Sequence, residues 1–381
     1  SFVPARFDPA AARAWSGPDA ATLVAGSGDF TNGIIVAGRS SPHGRRVHAT
    51  DWGAVQPRLG VSWDPANDSK TMVRAGFGVF YDQPLVGVFL QNAATNPPFV
   101  TSPTILNPLL SSPGAGTSRE AVPPASLVAT GDDFVLPRTL QWSAGAQRRL
   151  FPRAVLDVSY LGSRGSRLIQ PVDVNAARPP DVVAAGGLVN LARPYPGYAG
   201  ITTRQTTARS DYHALAVGLR YDSGRAGTVS VAYTLGRART TATNDRDGID
   251  LPQDRAFLEA EYALARTDRT HVFTASWVYE LPLFPGATSG LVKAALQGWQ
   301  LSGIATFWSG PPVSRLVNGN TNGGRRGTRV DQVGDPFADL PASGPGYVYW
   351  FDPGAYAPPA DGAFGSTGRA PFRLPGVDQW D

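Results

Sequence analysis

The sequence predicts an all-β fold, an antiparallel transmembrane β-barrel with short turns at one end and long loops at the other. Three observations carry this. Segments of alternating apolar and polar residues recur along the chain, as strands require when successive side chains point to opposite faces. Their connections follow a strict rhythm of short turn, then long loop, which is the layout of barrels with short periplasmic turns and long external loops. Aromatic residues (Trp63, Tyr81, Tyr160, Tyr221, Trp277, Tyr279, Trp299 and Trp308) stand near segment ends, where interfacial girdles lie.

The first hairpin runs from Gln56 to Asp64, turns through Pro65 to Lys70, and returns from Thr71 to Tyr81. In the return strand Val73, Ala75, Phe77, Val79 and Tyr81 share a face opposite Arg74, Gly76 and Gly78. The second runs from Thr139 to Leu150, turns at Phe151-Pro152-Arg153, and continues from Ala154 to Gly162; Leu140, Trp142, Ala144 and Ala146 oppose Gln141, Ser143, Gly145 and Gln147. The third joins His213–Tyr221 to Gly227–Leu235 through Asp222 to Arg225, with Val229, Val231, Tyr233 and Leu235 on one face. The fourth joins Thr270–Leu281 to Gly298–Ser309 by a longer link. Phe77, Trp142 and Val231 are thereby expected to face lipid, and Gln141 and Ser230 a polar lumen. Asn67, Pro152 and Ser223 fall in periplasmic turns, while Gly114, Gly186, Asp247 and Gly323 fall in external loops.

Composition sets the bounds. A hydrophobic content of 42% would suit a soluble protein, but it equally suits a barrel in which only alternate residues meet lipid. No apolar run approaches the roughly 18 residues of a membrane helix. With 381 residues the chain could hold several domains, yet no boundary stands out and residues 1–381 read as one unit. The absence of cysteine excludes disulfides, thiolate catalysis and Cys-based metal sites. Lys70 and Lys293 are the only lysines among 34 basic residues, and the arginines are scattered at a net charge of +4, so no nucleic-acid partner is expected. The 43 glycines and 34 prolines concentrate between the alternating segments, as turns and loops demand.

No constellation points to an enzyme. His43, His48, His213 and His271 lack metal-ligand spacing, and the last two begin predicted strands, where hydrogen-bonded structural roles are expected. There is no G-x-S-x-G elbow, and Glu259 and Glu261 lie in a loop without the separation that paired-carboxylate chemistry needs. Asn244 to Asp250 carries alternate carboxylates ahead of a glycine, like half of a calcium loop, but lacks the first acidic ligand and the final Glu, and reads as a solvated turn. Asn318 to Gly327 is Gly-rich without the Lys-Ser/Thr ending of a phosphate loop. Neither a resident cofactor nor a metal is implied.

Several strings resemble one family in its expected order. They are Pro57 to Pro65 followed by Thr71 to Asp82, Gln141-Trp142-Ser143, Ser159 to Gly165, Asp211 to Leu215, Tyr233 to Gly236, Gly298 to Ile304 with Ser309 to Pro312, Trp350 to Pro353 and Gly362 to Arg369. Together they resemble the barrel of TonB-dependent outer-membrane receptors of the Oar-like group, which carry a carboxypeptidase-regulatory-like domain. The resemblance implies a barrel of about 22 strands, of which residues 1–381 would be an interior part, without the plug and regulatory-like domains and with C-terminal strands missing. It implies outer-membrane lipid as the surrounding partner, the TonB complex as a partner through an upstream part, a Gram-negative outer-membrane location, and uptake of a peptide, glycan or siderophore. The residues expected to touch solute are ring side chains in Pro- and Gly-rich loops, Phe99, Tyr195 and Tyr198, since long loops on a rigid scaffold commonly carry binding. Their alternative role is loop-to-loop packing. The different-class alternative for the whole chain is a secreted or surface β-sandwich that binds or adheres.

Overall fold

The computed structural model describes residues 1–100, 111–112, 122–224, 227–244, 250–281, 290, 299–317 and 328–381. In chain order the strands are β1 (Trp15–Ser16), β2 (Thr22–Leu23), β3 (Arg58–Trp63), β4 (Thr71–Tyr81), β5 (Ala125–Thr130), β6 (Arg138–Phe151), β7 (Ala154–Asp173), β8 (Tyr198–Asp222), β9 (Gly227–Thr240), β10 (Ala263–Leu264), β11 (His271–Glu280), β12 (Gln300–Trp308), β13 (Asp331–Gln332), β14 (Tyr356–Ala357) and β15 (Val377–Trp380). Helix α1 spans Val86–Ala94 and α2 spans Pro179–Ala184. No helix among the described residues is long and apolar enough to cross a membrane.

One sheet dominates. Its path runs β3-β4-β6-β7-β8-β9-β11-β12-β15, each strand antiparallel to the next, with β5 and β10 attached to β8 and β9. Within its hairpins the meander follows from the short turns, because the connections of seven, two and four residues after β3, β6 and β8 can only return the chain beside itself. A sandwich would need a second sheet over one face; the other two sheets among the described residues are the two-stranded pairs β1-β2 and β13-β14. The sequence-predicted segments and the strands coincide at β4. Elsewhere the turn ends agree within two residues, and the loop ends agree within two residues except at β7, β8 and β9, which run further than expected.

Cross-strand register shows that the apolar sets of separate hairpins make one continuous face. Phe77 pairs with Trp142, which pairs with Gly162, which pairs with His213. One row nearer the short turns, Ala75, Ala144, Tyr160, Leu215, Leu235 and His271 stand in line. Val73, Ala146, Val158, Val217, Tyr233 and Phe273 follow. The other face is polar and small: Gly76 pairs with Ser143, Arg74 with Gly145, Gly145 with Ser159, and Ser230 with Ser276. Leu59, Val61, Trp63, Leu219, Val229 and Leu301 stay exposed on the apolar face, an arrangement that water would penalise and lipid does not.

Two devices recur on that face. Trp142 lies across Gly162 on the neighbouring strand and Trp277 across Gly303, so closely that a Cβ at either glycine would collide with the indole. The missing side chain is what lets the ring lie flat on the sheet. Diagonally across β7 and β8 the Tyr160 hydroxyl hydrogen-bonds His213 Nδ1 at 2.7 Å, and across β9 and β11 Tyr233 does the same to His271 at 2.7 Å. Both histidines thus have the structural partners expected of them, although His213 lies inside β8 and not at its start.

Strands β7 and β8 continue well past their predicted ends, to Asp173 and back to Tyr198. β9 stops at Thr240, opposite Ser210, and leaves the upper edge of β8 unpaired. β5 takes that edge in parallel, matching Leu127 to Ile201 and Thr130 to Arg204. In the same way β10 pairs with the tip of β9, where β11 has not yet begun. Backbone donors exposed by unequal strand lengths are therefore met by short segments of the long loops.

The main hydrophobic cluster lies in this cap and not in the sheet below. Phe2, Leu127, Ala129, Tyr198 and Ile201 are buried together, with Phe7, Ile34, Ala125, Val174 and Tyr195 packed around them. Full burial of side chains such as Leu127 or Ile201 contributes about 1.5–3 kcal/mol each. α1 lies beside β5: Asn92 Nδ2 donates to Thr130 Oγ1 at 2.8 Å, and Thr95 closes the helix by donating from Oγ1 to the Gln91 carbonyl at 2.7 Å.

Candidate functional site: the loop cap and its cleft

The loop that holds Tyr195 and Tyr198 is clamped from inside. Asn175, fully buried, donates from Nδ2 to the carbonyls of Tyr195, Tyr198 and Ala199 at 3.1, 3.1 and 2.6 Å, and its Oδ1 accepts from Tyr195 N at 2.7 Å. Asp173 Oδ1 accepts from the amides of Asn175 and Ile201 at 3.1 and 2.8 Å. Tyr198 itself is 3% exposed, and its hydroxyl reaches the carbonyls of Phe30 and Asn32 at 3.0 and 2.9 Å. Burial pushes its hydroxyl pKa up, with Asp29 adding to the effect. The Tyr195 ring packs edge-on against Phe2 and Phe7 at centroid distances of 5.0 and 5.2 Å. Both rings are thus engaged in packing between loops, the alternative role noted for them above.

Phe99 differs. It is 61% exposed, on a turn whose anchor is buried. Asn96 donates from Nδ2 to the Val128 carbonyl at 2.5 Å and accepts from Val128 N at 2.9 Å, a side-chain imitation of strand pairing along β5. The Phe99 amide then closes on the Asn96 carbonyl at 3.2 Å. The ring is displayed on a fixed support.

A cleft of about 560 Å³ opens where β8, β9 and β11 meet the loop between β9 and β11. Ser210, Tyr212, Thr234 and Val272 line it from the polar face of the sheet, and Thr267 and Arg269 from the loop. None of the hydroxyls of Ser210, Tyr212, Thr234 and Thr267 has a protein hydrogen-bond partner among the described residues. Such groups can both donate and accept, so the cleft suits a ligand rich in hydroxyl, amide or carbonyl groups. The loop wall is held by Asp268, which accepts from Ala238 N at 2.5 Å and pairs with Arg373. These cleft residues escape sequence reasoning because four scattered hydroxyls on three elements form no motif.

Beside the cleft lies a buried charge network. Arg329 and Glu261 pair with side-chain exposures of 4% and 1%. Arg369 stands 3.2 Å from Asp250, and Arg266 stands 3.5 Å from the same carboxylate. Arg369 also donates to the carbonyls of Thr241 and Glu261. Burial pushes Asp250 above the usual carboxylate range while the two guanidiniums pull against it, and burial likewise lowers Arg369. Asp250 Oδ2 accepts from the amides of Thr243 and Asn244 at 3.1 and 2.8 Å, so the last acid of the half calcium loop is committed to arginines and backbone. Asp245 to Ile249, like Asn318 to Gly327, Gly114, Asp247 and Gly323, lie outside the described residues. Among the described residues no three His, Asp or Glu side chains gather as a metal site.

The model of the outer membrane beta barrel domain matches residues 4–381. Comparison with curated proteins finds no match. Among solved structures, the FrpB iron transporter of Neisseria meningitidis is similar in its F3-3 variant (11% identity, TM-score 0.37) and its F5-1 variant (10%, 0.36), with 68% of this chain aligned to 27% of each. The FpvAI–pyocin S2 complex aligns over 68% of this chain and 23% of the other, at 8% identity and TM-score 0.37. The chain therefore spans about a quarter of the length of these proteins. With the apolar and polar faces of a single meandering sheet, and with a family model that runs over nearly its whole length, this chain belongs to the outer membrane β-barrel domain family and resides in the outer membrane.

Proposed function

We propose that the chain forms part of the wall and the external cap of a larger barrel, an outer-membrane receptor that binds a solute at its outer loops and imports it with energy delivered through TonB. The observation that carries this reading is the cleft lined by unpartnered hydroxyls at the long-loop end of the sheet, above a wall of small residues that includes Gly218, Ala232, Ser230 and Ser276. A ligand bound there would sit over the route inward. Phe99, on its anchored turn, is an exposed ring that can add contact area, while Tyr195 and Tyr198 stay engaged in loop packing. A peptide or glycan suits the hydroxyl-rich lining, and the ferric complex of a siderophore can use the same groups. The imported solute does not change chemically, so the protein works as a transporter and not as an enzyme.

The test compares growth of wild-type cells, a strain deleted for the full-length receptor and a strain deleted for TonB, each on peptides, oligosaccharides or ferric siderophores as the limiting nutrient. The expected result is one nutrient class lost in both deletion strains and restored by the receptor gene only where TonB is present. Restoration of growth by the receptor in the absence of TonB would refute energised uptake.

A further inference from the structure

The apolar face of the sheet carries a cationic patch at its long-loop end. Arg164, Asp211 and Arg239 stand in one cross-strand row on β7, β8 and β9, and His213 and Arg237 occupy the row beneath. Arg209 lies two residues above Asp211 on β8. The loop between β9 and β11 lays the Tyr262 ring on this patch: the guanidinium carbons of Arg209 and Arg239 lie 4.2 and 4.6 Å from its centroid, and its hydroxyl donates to Asp211 Oδ2 at 2.9 Å. Desolvation raises the Tyr262 pKa, and the hydrogen bond to Asp211 adds to it. Two carboxylates answer four guanidiniums. Glu259 takes Arg209 at 2.7 Å, and Asp211 touches Arg164 at only 3.7 Å. Arg237 is exposed and has no side-chain partner among the described residues.

Height fixes what this patch meets. From Ala154 beside the short turn to Arg164 is ten residues of unbroken strand, about 33 Å along the strand at 3.3 Å per residue. A strand tilt of about 40° reduces that to about 25 Å of vertical rise, the height of the apolar band of an outer-membrane barrel. The arginines therefore sit where acyl chains give way to head groups, on the lipid side of the wall and away from the lumen. Guanidinium donors in excess of carboxylates at that level match phosphate oxygens in charge and in fork geometry.

We propose that this outer-wall patch, with the unpaired Arg237 and the loosely held Arg164 as its donors, binds the phosphate head group of an outer-leaflet lipid. Arg209, Arg239 and Tyr262 shape and pre-orient the site, and the apolar rows below it hold the acyl chains. The inference is independent of which solute the barrel imports.

The experiment uses the purified full-length receptor in neutral detergent and measures binding of bisphosphorylated lipid A, dephosphorylated lipid A and inorganic phosphate by native mass spectrometry. Bisphosphorylated lipid A should bind well above its dephosphorylated form, and inorganic phosphate should neither bind nor compete. Each basic side chain near a membrane surface contributes about fivefold in affinity, so R164Q/R237Q should bind bisphosphorylated lipid A about 25-fold more weakly. R148Q, on the same face at the short-turn end, should bind as wild type. Equal binding of the two lipids by the unaltered protein, which requires no variant to fold, would overturn the proposal. So would full retention by R164Q/R237Q, and competition by inorganic phosphate would reassign the patch to a free anion.

Discussion

Replacing Arg329 by methionine strips the directly paired guanidinium from a buried carboxylate. Glu261 is 1% exposed in its side chain; among the described residues its other hydrogen-bond donor is the Gln253 amide at 3.0 Å, and the Arg369 guanidinium acts on it only through space. Removing one partner of a buried pair costs about 3–5 kcal/mol, because the other charge is left without compensation. The loss should be local: Arg329 N also donates to Gln253 Oε1 at 2.8 Å, and Thr367 N donates to the Val330 carbonyl at 3.1 Å, so this segment and the loop of residues 250–270 open together. At about 1.4 kcal/mol per tenfold, hydrogen exchange at the Thr367 amide should accelerate by roughly two to three and a half powers of ten. Gly145, in the middle of the wall, should exchange as before. Adding E261Q removes the stranded charge while an amide oxygen still accepts from Gln253, so the double variant R329M/E261Q should recover most of the protection. The assay is exchange mass spectrometry on the full-length receptor in nanodiscs. Additive damage from the two substitutions, or less than about tenfold acceleration in R329M, would refute the view that burial makes this pair interdependent.

Depth on the apolar face gives a second expectation. Val217 stands near mid-height, so V217R should cost about 2–4 kcal/mol, whereas arginine at Trp142 or Val231, nearer the two interfaces, should cost about 0–1 kcal/mol from lipid exposure alone; S143R, on the polar face, should be tolerated. Reversible unfolding into lipid vesicles measures this, and equal damage at Val217 and Ser143 would invalidate the assigned faces. A third separates the ring residues. Y198F leaves two carbonyls without their donor and should destabilise the cap by about 1 kcal/mol, with exchange at Asn32 and Ile201 rising, while F99A should leave exchange unchanged and lower solute uptake. An unchanged uptake in F99A would remove Phe99 from the binding surface.

The hairpins were legible in the sequence because their two faces meet different surroundings. At β4 the predicted and observed limits agree, and at β6, β9, β11 and β12 the alternation runs through most of the strand. The upper thirds of β7 and β8 were not legible. Between Tyr198 and Arg204 five residues are buried and the other two half-buried, because the cap covers both sides and no period of two survives. The parallel attachment of β5 depends on a partner more than 70 residues away, which no local pattern announces. In the candidate site, the prominence of Tyr195 and Tyr198 as rings was visible while the direction they point was not. Asn96 and Asn175 carried no signal, since an asparagine that clamps a loop from within looks the same in sequence as one in any turn.

The cluster around Phe2 has a temporal consequence. It gathers the start of the chain, β5 and the entry of β8, segments separated by more than 120 and by about 70 residues. Strand pairing in the wall joins neighbours in sequence and can proceed hairpin by hairpin, but this cluster closes only when all three distant pieces share one side of the membrane. Long loops closing on one another meet a steep entropic barrier. The cap is therefore the last part to mature, and a newly inserted barrel passes through a stage in which the wall is complete and its outer surface is still open to proteases.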